Sequence, residues 1–196
     1  MREKKRHNRH LRWPAFLCAA LLLALAAFFM QDAVESVERM AYPRKYSDYV
    51  AYYADKYKLD ENRVYAIIRT ESGFSPTARS GVGALGLMQI TEETFSWIKT
   101  KIAPNEEIAF ENLTDPETNI RFGVYLLAVC LHRYDEDLAT AAAAYHSGMG
   151  LVDGLLENPE YSADGRTLHT FPYSQMSHYV DKVTQSYAKY TALYAA

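Results

Sequence analysis

The chain of 196 residues is poor in several features that would restrict its function. It has two cysteines, Cys18 and Cys130, and only Cys130 lies beyond the first 30 residues, so that part can form no internal disulfide. Alternating strand patterns and internal repeats are lacking. The apolar content of 49% and the absence of low-complexity sequence exclude a disordered chain. The low net charge of −3 argues against a dedicated nucleic-acid binder.

Histidines at metal-ligand spacing are also lacking. Two of the six, His7 and His10, lie in the basic N-terminal stretch, and His132, His169 and His178 form no pair with such spacing. We therefore predict no metal and no other cofactor.

The net charge conceals an asymmetry between the N-terminus and the rest of the chain. Residues 1–13 carry a net charge of +5 and residues 14–196 a net charge of −8. Residues 14–30 form a run of 17 positions without a charged residue. That length favours a membrane helix over the shorter apolar region of a cleaved signal, although alanines near its end keep cleavage open. Basic residues on its N-terminal side would stay in the cytoplasm. We predict a cytoplasmic tail (1–13), a transmembrane signal anchor (14–30), a polar stalk (31–44) and an extracytoplasmic domain (45–196).

Beyond residue 44 the apolar residues recur with helical spacing. One stripe consists of Tyr46, Tyr49, Val50, Tyr53 and Tyr57. Further helices are predicted from Asp60 to Gly73, from Asp115 onward, and up to Gly148. The last stripe consists of Met176, Tyr179, Val180, Val183, Tyr187, Tyr190 and Tyr194. We predict a mainly α-helical domain.

Glu71 is a carboxyl group on the apolar face of its predicted helix. It follows Val64, Ile67 and Ile68 at helical spacing and lies two residues before Gly73. Burial and the negative end of the helix dipole both disfavour the charged form and raise the pKa of the carboxyl. A carboxylic acid that stays protonated near neutral pH can protonate the leaving oxygen of a glycosidic bond. From periodicity alone, rotation of Glu71 into solvent or pairing with an arginine remains an alternative.

A glycine-rich segment follows Glu71. Gly81, Gly83 and Gly86 lie within six residues and are followed by Met88 and Gln89. Their spacing matches the dinucleotide fingerprint loosely, but that motif requires a preceding strand, and a helical stretch precedes this one. We interpret the segment as a loop against a polymeric substrate, with Gln89 as a hydrogen-bonding group.

Five blocks of residues, taken in order, point to one family. They are Ile68-Arg69-Thr70-Glu71-Ser72 with Ser80; Gly83-Ala84-Leu85-Gly86-Leu87-Met88-Gln89-Ile90; Asp115-Pro116-Glu117-Thr118-Asn119-Ile120 with Gly123 and Tyr125-Leu126; Ala143-Ala144-Tyr145 with Gly148 and Gly150; and Tyr179-Val180 with Lys182-Val183. This series resembles the soluble lytic transglycosylase (SLT) catalytic domain family of the lysozyme-like superfamily. The resemblance implies a mainly α, lysozyme-like domain of the goose-type lysozyme and SLT kind, placed here behind a single N-terminal transmembrane helix.

The resemblance also implies the residues of the site. Glu71 would be the catalytic acid and base, and the substrate-binding residues would be Ser80, Met88, Gln89, Tyr145, His146 and Tyr179. The chain departs from the family at His146, where the family usually has asparagine. Histidine can still donate a hydrogen bond, and because it titrates between about pH 5 and 8 it could add a pH dependence.

Ordinary glycosidases need a second carboxylate, about 5–5.5 Å from the first if retaining and about 6.5–9.5 Å if inverting. The candidates are Glu92, Glu93, Asp115, Glu117, Asp153 and Asp181. None is compelling, since Asp115 is placed to cap a helix and Asp181 lies beside Lys182 on a polar face. A mechanism with one acid fits better. The family resemblance implies non-hydrolytic cleavage of the β-1,4 bond between N-acetylmuramic acid (MurNAc) and N-acetylglucosamine (GlcNAc), with a 1,6-anhydroMurNAc product.

Two alternatives remain open: a lysozyme-type muramidase that hydrolyses the same bond, and an inactive glycan-binding module of a larger envelope assembly. The predicted partners are peptidoglycan glycan strands and the membrane, with no nucleic acid. We predict a location in the cytoplasmic membrane, with the N-terminus inside and the domain on the cell-wall side.

Overall fold

The computed structural model describes residues 12–195 of the chain. The predicted cytoplasmic tail (1–13) therefore lies almost wholly outside the described residues. The chain divides between Pro43 and Arg44 into two compact units.

The first unit contains one long helix, α1 (Arg12–Ala41). Its stretch from Phe16 to Ala41 is long and apolar enough to cross a membrane, and none of the most apolar part is buried. The segment predicted as a polar stalk is helical as far as Ala41, so the helix continues well beyond the uncharged run.

The second unit contains seven α-helices and a short 3₁₀ helix in its described part: α2 (Ser47–Tyr57), α3 (Glu61–Ser72), α4 (Glu92–Ile102), the 3₁₀ helix (Phe110–Thr114), α5 (Pro116–Arg133), α6 (Leu138–Ser147), α7 (Met149–Leu156) and α8 (Ser174–Leu193). The described residues form no strand, only isolated bridges within residues 79–90. The prediction of a mainly helical domain is thus confirmed.

Capping aspartates and glycines with positive φ mark helix ends where the sequence predicted them. The Asp60 carboxylate accepts from the Asn62 N–H at 2.8 Å and begins α3, which ends at Gly73 with a φ of 58°. Asp115 accepts from the Thr118 N–H at 2.9 Å and begins α5. Gly148, with a φ of 89°, ends α6.

One apolar stripe is less buried than we predicted. Val50 and Tyr53 are buried on α2, but Tyr49 is 38% exposed. Tyr46 precedes the helix with a left-handed φ of 60°. The tyrosine stripe is therefore wider than the face that packs on the domain.

Helix α8 brings the site together. It packs against α3 and α6, while α5 packs against α2 and α6. The carboxyl ends of α3 and α6 carry Glu71 and Tyr145, and the first turns of α8 carry Tyr179. Three residues that are far apart in sequence thereby reach one side of the domain.

Candidate active site

A cleft of about 290 Å³ lies at the end of α3. Its walls come from the end of α3, the glycine-rich loop, the start of α4 and the end of α6. The lining residues are Glu71, Ser80, Val82, Ala84, Gln89, Ile90, Thr91, Thr94, Leu126, Tyr145, His146 and Gly148. In the part of the chain that the structure describes, Glu71 is the only acid lining this cleft.

Glu71 is largely buried and hydrogen bonded. The Tyr179 hydroxyl donates to Glu71 Oε1 at 2.6 Å. Burial raises the pKa of Glu71 from its ordinary 4.5 to about 7, and the Tyr179 hydrogen bond opposes that rise. With a pKa of about 7, the carboxyl can both hold and release its proton near neutral pH.

One tyrosine, Tyr145, lines the cleft, and a second, Tyr179, lies behind Glu71 and is not part of the lining. Tyr179 is only 7% exposed. The Tyr145 hydroxyl donates to the Met88 carbonyl at 2.8 Å and joins α6 to the glycine-rich loop. Burial, together with the neighbouring Glu71, raises the pKa of both phenols well above 10.0, so both stay protonated as hydrogen-bond donors.

The glycine-rich loop has its own internal bonds. Gln89 donates from Nε2 to the carbonyls of Ala78 and Gly86 at 3.0 and 2.9 Å. Ser80 Oγ accepts from the Ala84 N–H at 3.0 Å. Both side chains line the cleft, but these bonds also use them to hold the loop closed.

Met88 lies elsewhere than we expected. Its side chain is fully buried, in contact distance of Gly123 on α5, so it does not line the cleft. The apolar thioether packs under the loop because α5 offers a glycine there. Met88 takes part in the site through its carbonyl, which accepts the Tyr145 hydrogen bond.

Asn119 belongs to one of the five motif blocks, but the sequence alone predicts no role for its side chain. It is fully buried on α5, where Oδ1 accepts from the Met88 N–H at 2.7 Å. Its Nδ2 donates to the carbonyls of Leu85 and Leu113 at 2.9 and 2.8 Å. A side chain at position 86 would collide with this amide, so the position requires glycine. The one sequence signal for this buried role was an amide side chain next to Ile120, on the apolar face of a predicted helix.

None of the candidate second carboxylates lines the cleft. Asp115 caps α5, Asp153 accepts from Arg133 at 2.6 Å, and Glu117 accepts from the Tyr53 hydroxyl at 3.4 Å. Glu92 and Asp181 are exposed, as is Glu93. Among the described residues no group of three or more His, Cys, Asp or Glu could hold a metal.

The segment 157–172, between α7 and α8, contributes no residue to the lining of this cleft. It is anchored near the start of α6, where the Leu168 N–H donates to Thr140 Oγ1 at 2.9 Å. Only Pro172, at its end, reaches a neighbouring depression of about 500 Å³, which His146 also lines.

Comparison with known proteins places this geometry in a family. The transglycosylase SLT domain matches residues 48–164. The soluble lytic murein transglycosylase of Escherichia coli K12 is 30% identical over 143 residues, which are 72% of this chain and 22% of the relative. The membrane-bound lytic murein transglycosylase C of Serratia proteamaculans is 30% identical over 174 residues, 74% of this chain and 46% of the relative. The chain thus spans less than half the length of these relatives.

Solved structures agree with the sequence comparison. The 70-kDa soluble lytic transglycosylase of Escherichia coli superposes with a TM-score of 0.72 at 27% identity, over 81% of this chain and 26% of that one. An inactive glutamate-to-glutamine mutant of the lytic transglycosylase Slt from Pseudomonas aeruginosa gives a TM-score of 0.69 at 28% identity, over 79% and 25%. From the fold, the cleft around Glu71 and these matches, the chain belongs to the transglycosylase SLT family, with its lysozyme-like fold.

Proposed function

We propose that this protein is a membrane-anchored lytic transglycosylase of peptidoglycan. It cleaves the β-1,4 bond between MurNAc and GlcNAc without water and leaves a 1,6-anhydroMurNAc end. The observation that carries the proposal is Glu71, the one acid lining the cleft in the described part of the chain, with a pKa of about 7.

The first step uses Glu71 as a general acid. Tyr179 occupies Oε1, which leaves Oε2 to hold the proton that goes to the glycosidic oxygen. As the bond between that oxygen and MurNAc C1 breaks, the N-acetyl group of MurNAc stabilises the positive charge at C1. The oxygen departs as the free hydroxyl of GlcNAc.

The second step uses the resulting Glu71 carboxylate as a base. It accepts the proton of the MurNAc C6 hydroxyl while that oxygen bonds to C1, so Glu71 is protonated again and no water is consumed. The Tyr179 hydrogen bond stabilises the carboxylate between the two steps, and burial favours return of the proton. A pKa near 7 suits a group that must both give and take a proton.

The surroundings of Glu71 argue for one carboxylate over two. Asp115 and Asp153 are bound to other groups, and the exposed candidates do not line the cleft. A hydrolase of the two-carboxylate kind would need a second acid at about 5–9.5 Å. The single-acid route therefore fits the described residues better.

Product analysis tests the proposal. The full chain in detergent is incubated with purified sacculi. The released fragments are reduced with borohydride, and their masses are measured by mass spectrometry. We expect anhydro ends, which resist reduction. Reducible muramic acid ends would identify a muramidase instead. No release by the wild-type chain, with binding to sacculi retained, would identify an inactive glycan-binding module.

The same proposal includes the orientation of the chain in the membrane. The +5 charge of residues 1–13 lies before the apolar helix, which favours an N-terminus in the cytoplasm and the domain on the cell-wall side. Protease added to spheroplasts should digest the domain while a reporter fused to the N-terminus survives. A protected domain would contradict this orientation.

A further inference from the structure

His146 lies in the last turn of α6 at the mouth of the cleft. Its ring is stacked on the Tyr179 ring, with centroids 4.4 Å apart and an angle of 15° between the planes. His146 lines the Glu71 cleft and also the neighbouring depression of about 500 Å³.

The stack acts on the group that holds the acid. Tyr179 carries the hydroxyl that donates to Glu71 Oε1 at 2.6 Å. A phenol ring with one face covered by a flat partner has less freedom to turn, and its hydroxyl stays where it can donate to Glu71. The contact thus links the end of α6 to the acid on α3 through α8.

The groups around the pair are compatible with neutral stacking. The titratable groups that face Tyr179 are Glu71 on α3, Tyr145 on α6 and Cys130 on α5. Burial lowers the pKa of His146, so the imidazole is mainly uncharged at neutral pH. Asparagine, which the family usually has here, carries no ring and could not make this contact.

We propose that His146 is a positioning residue, whose imidazole holds the Tyr179 ring so that its hydroxyl stays on Glu71. The proposal rests on the transglycosylase activity proposed above. It gives His146 a role through Tyr179 that differs from direct contact with the glycan.

A double-mutant cycle on the full chain tests this role. His146→Ala should lower kcat about tenfold with little change in KM, because the acid is misplaced while the cleft keeps its other walls. His146→Phe should recover most of the lost kcat, since a phenyl ring can stack without donating a hydrogen bond. In a Tyr179→Phe background His146→Ala should have no further effect on kcat, because no hydroxyl remains to be placed.

The matched control is His132→Ala. His132 is a solvent-exposed histidine on α5 outside the cleft, and its removal should leave kcat and KM unchanged. Thermal unfolding of each variant shows whether it is folded.

Two results would overturn the proposal. One is a rise in KM at constant kcat for both His146→Ala and His146→Phe, which identifies a glycan contact. The other is full additivity of His146→Ala with Tyr179→Phe. Failure of the proposed activity is distinct from both, because then the wild-type chain itself releases no fragments.

Discussion

The two units of this chain depart from the usual distribution of polar and apolar residues in opposite directions. Helix α1 exposes large apolar side chains, with Phe16 and Leu23 each 72% exposed. The domain beyond residue 44 does the reverse at its site, where Glu71 is largely buried and Asn119 fully buried. Exposed apolar surface and buried polar groups are the two informative exceptions in a folded protein.

The stability of each unit has a different source. The large apolar side chains of α1 are exposed, and a bilayer is the solvent that suits such a helix. The buried Asn119 amide of the domain holds the glycine-rich loop beside Glu71, and its hydrogen bonds must compensate for its desolvation.

Charges in α1 should give the largest effect. Leu22→Arg combined with Leu25→Arg should weaken membrane insertion by about 5–7 kcal/mol, since each arginine costs about 2.5–3.5 kcal/mol at the centre of a membrane helix. Carbonate extraction measures the fraction that remains in the membrane. The matched control replaces both leucines with isoleucine and should stay inserted, and unchanged insertion of the arginine pair would contradict the assignment of α1.

Removal of the Glu71 carboxyl should have the second-largest effect. Glu71→Gln keeps the acceptor for Tyr179 but cannot transfer a proton, so kcat should fall about 1,000-fold. The rate at which muropeptides are released from sacculi measures this fall in kcat. Glu93→Gln, an exposed glutamate in the first turn of α4, is the control and should retain activity. Retained lysis by Glu71→Gln would mean that another group is the catalyst.

Asn119→Ala should destabilise the domain by about 3 kcal/mol. It leaves three buried backbone groups, on Met88, Leu85 and Leu113, without their partner. Asn112→Ala, at an exposed asparagine that accepts from the Ala109 N–H, should cost only about 1 kcal/mol. Chemical denaturation compares the two, and equal losses would show that the buried amide has no special role.

The stability of the wild-type domain should depend on pH through Glu71. The folded pKa of about 7 lies above the ordinary 4.5, so the folded state holds a proton that the unfolded chain releases. Stability should therefore fall as the pH rises from about 4.5 to 7. Glu71→Gln should be about 3 kcal/mol more stable than wild type at pH 8 and equal to it near pH 4. Parallel pH profiles of stability for the two proteins would refute the buried-acid interpretation.

Tyr179→Phe should have the smallest effect. Loss of the hydroxyl removes a hydrogen bond that lowers the pKa of Glu71, so that pKa should rise and kcat should fall about tenfold. The alkaline limb of the pH–rate profile should move to higher pH. A shift to lower pH would show that the hydroxyl mainly excludes water.

The sequence predicted the parts of the fold that depend on local chemistry. Asp60, Gly73, Asp115 and Gly148 mark helix ends because a capping carboxylate or a left-handed glycine acts on residues a few positions away. The burial of Glu71 followed from its position on an apolar face. The family resemblance placed Met88 in the cleft, whereas its side chain packs into space left by Gly123, 35 positions later in the chain.

Periodicity and composition within single segments were enough to predict the apolar N-terminal helix, the helical class of the domain and a carboxyl at position 71 on an apolar helix face. The surroundings of Glu71 depend on packing between helices and could not be predicted from any one segment. The Tyr179 hydrogen bond spans 108 residues and the Tyr145 bond to Met88 spans 57, and His146 meets Tyr179 through the packing of α6 on α8. A pKa near 7 depends on burial and hydrogen bonding at contacts between helices, and those contacts are made only when the chain folds.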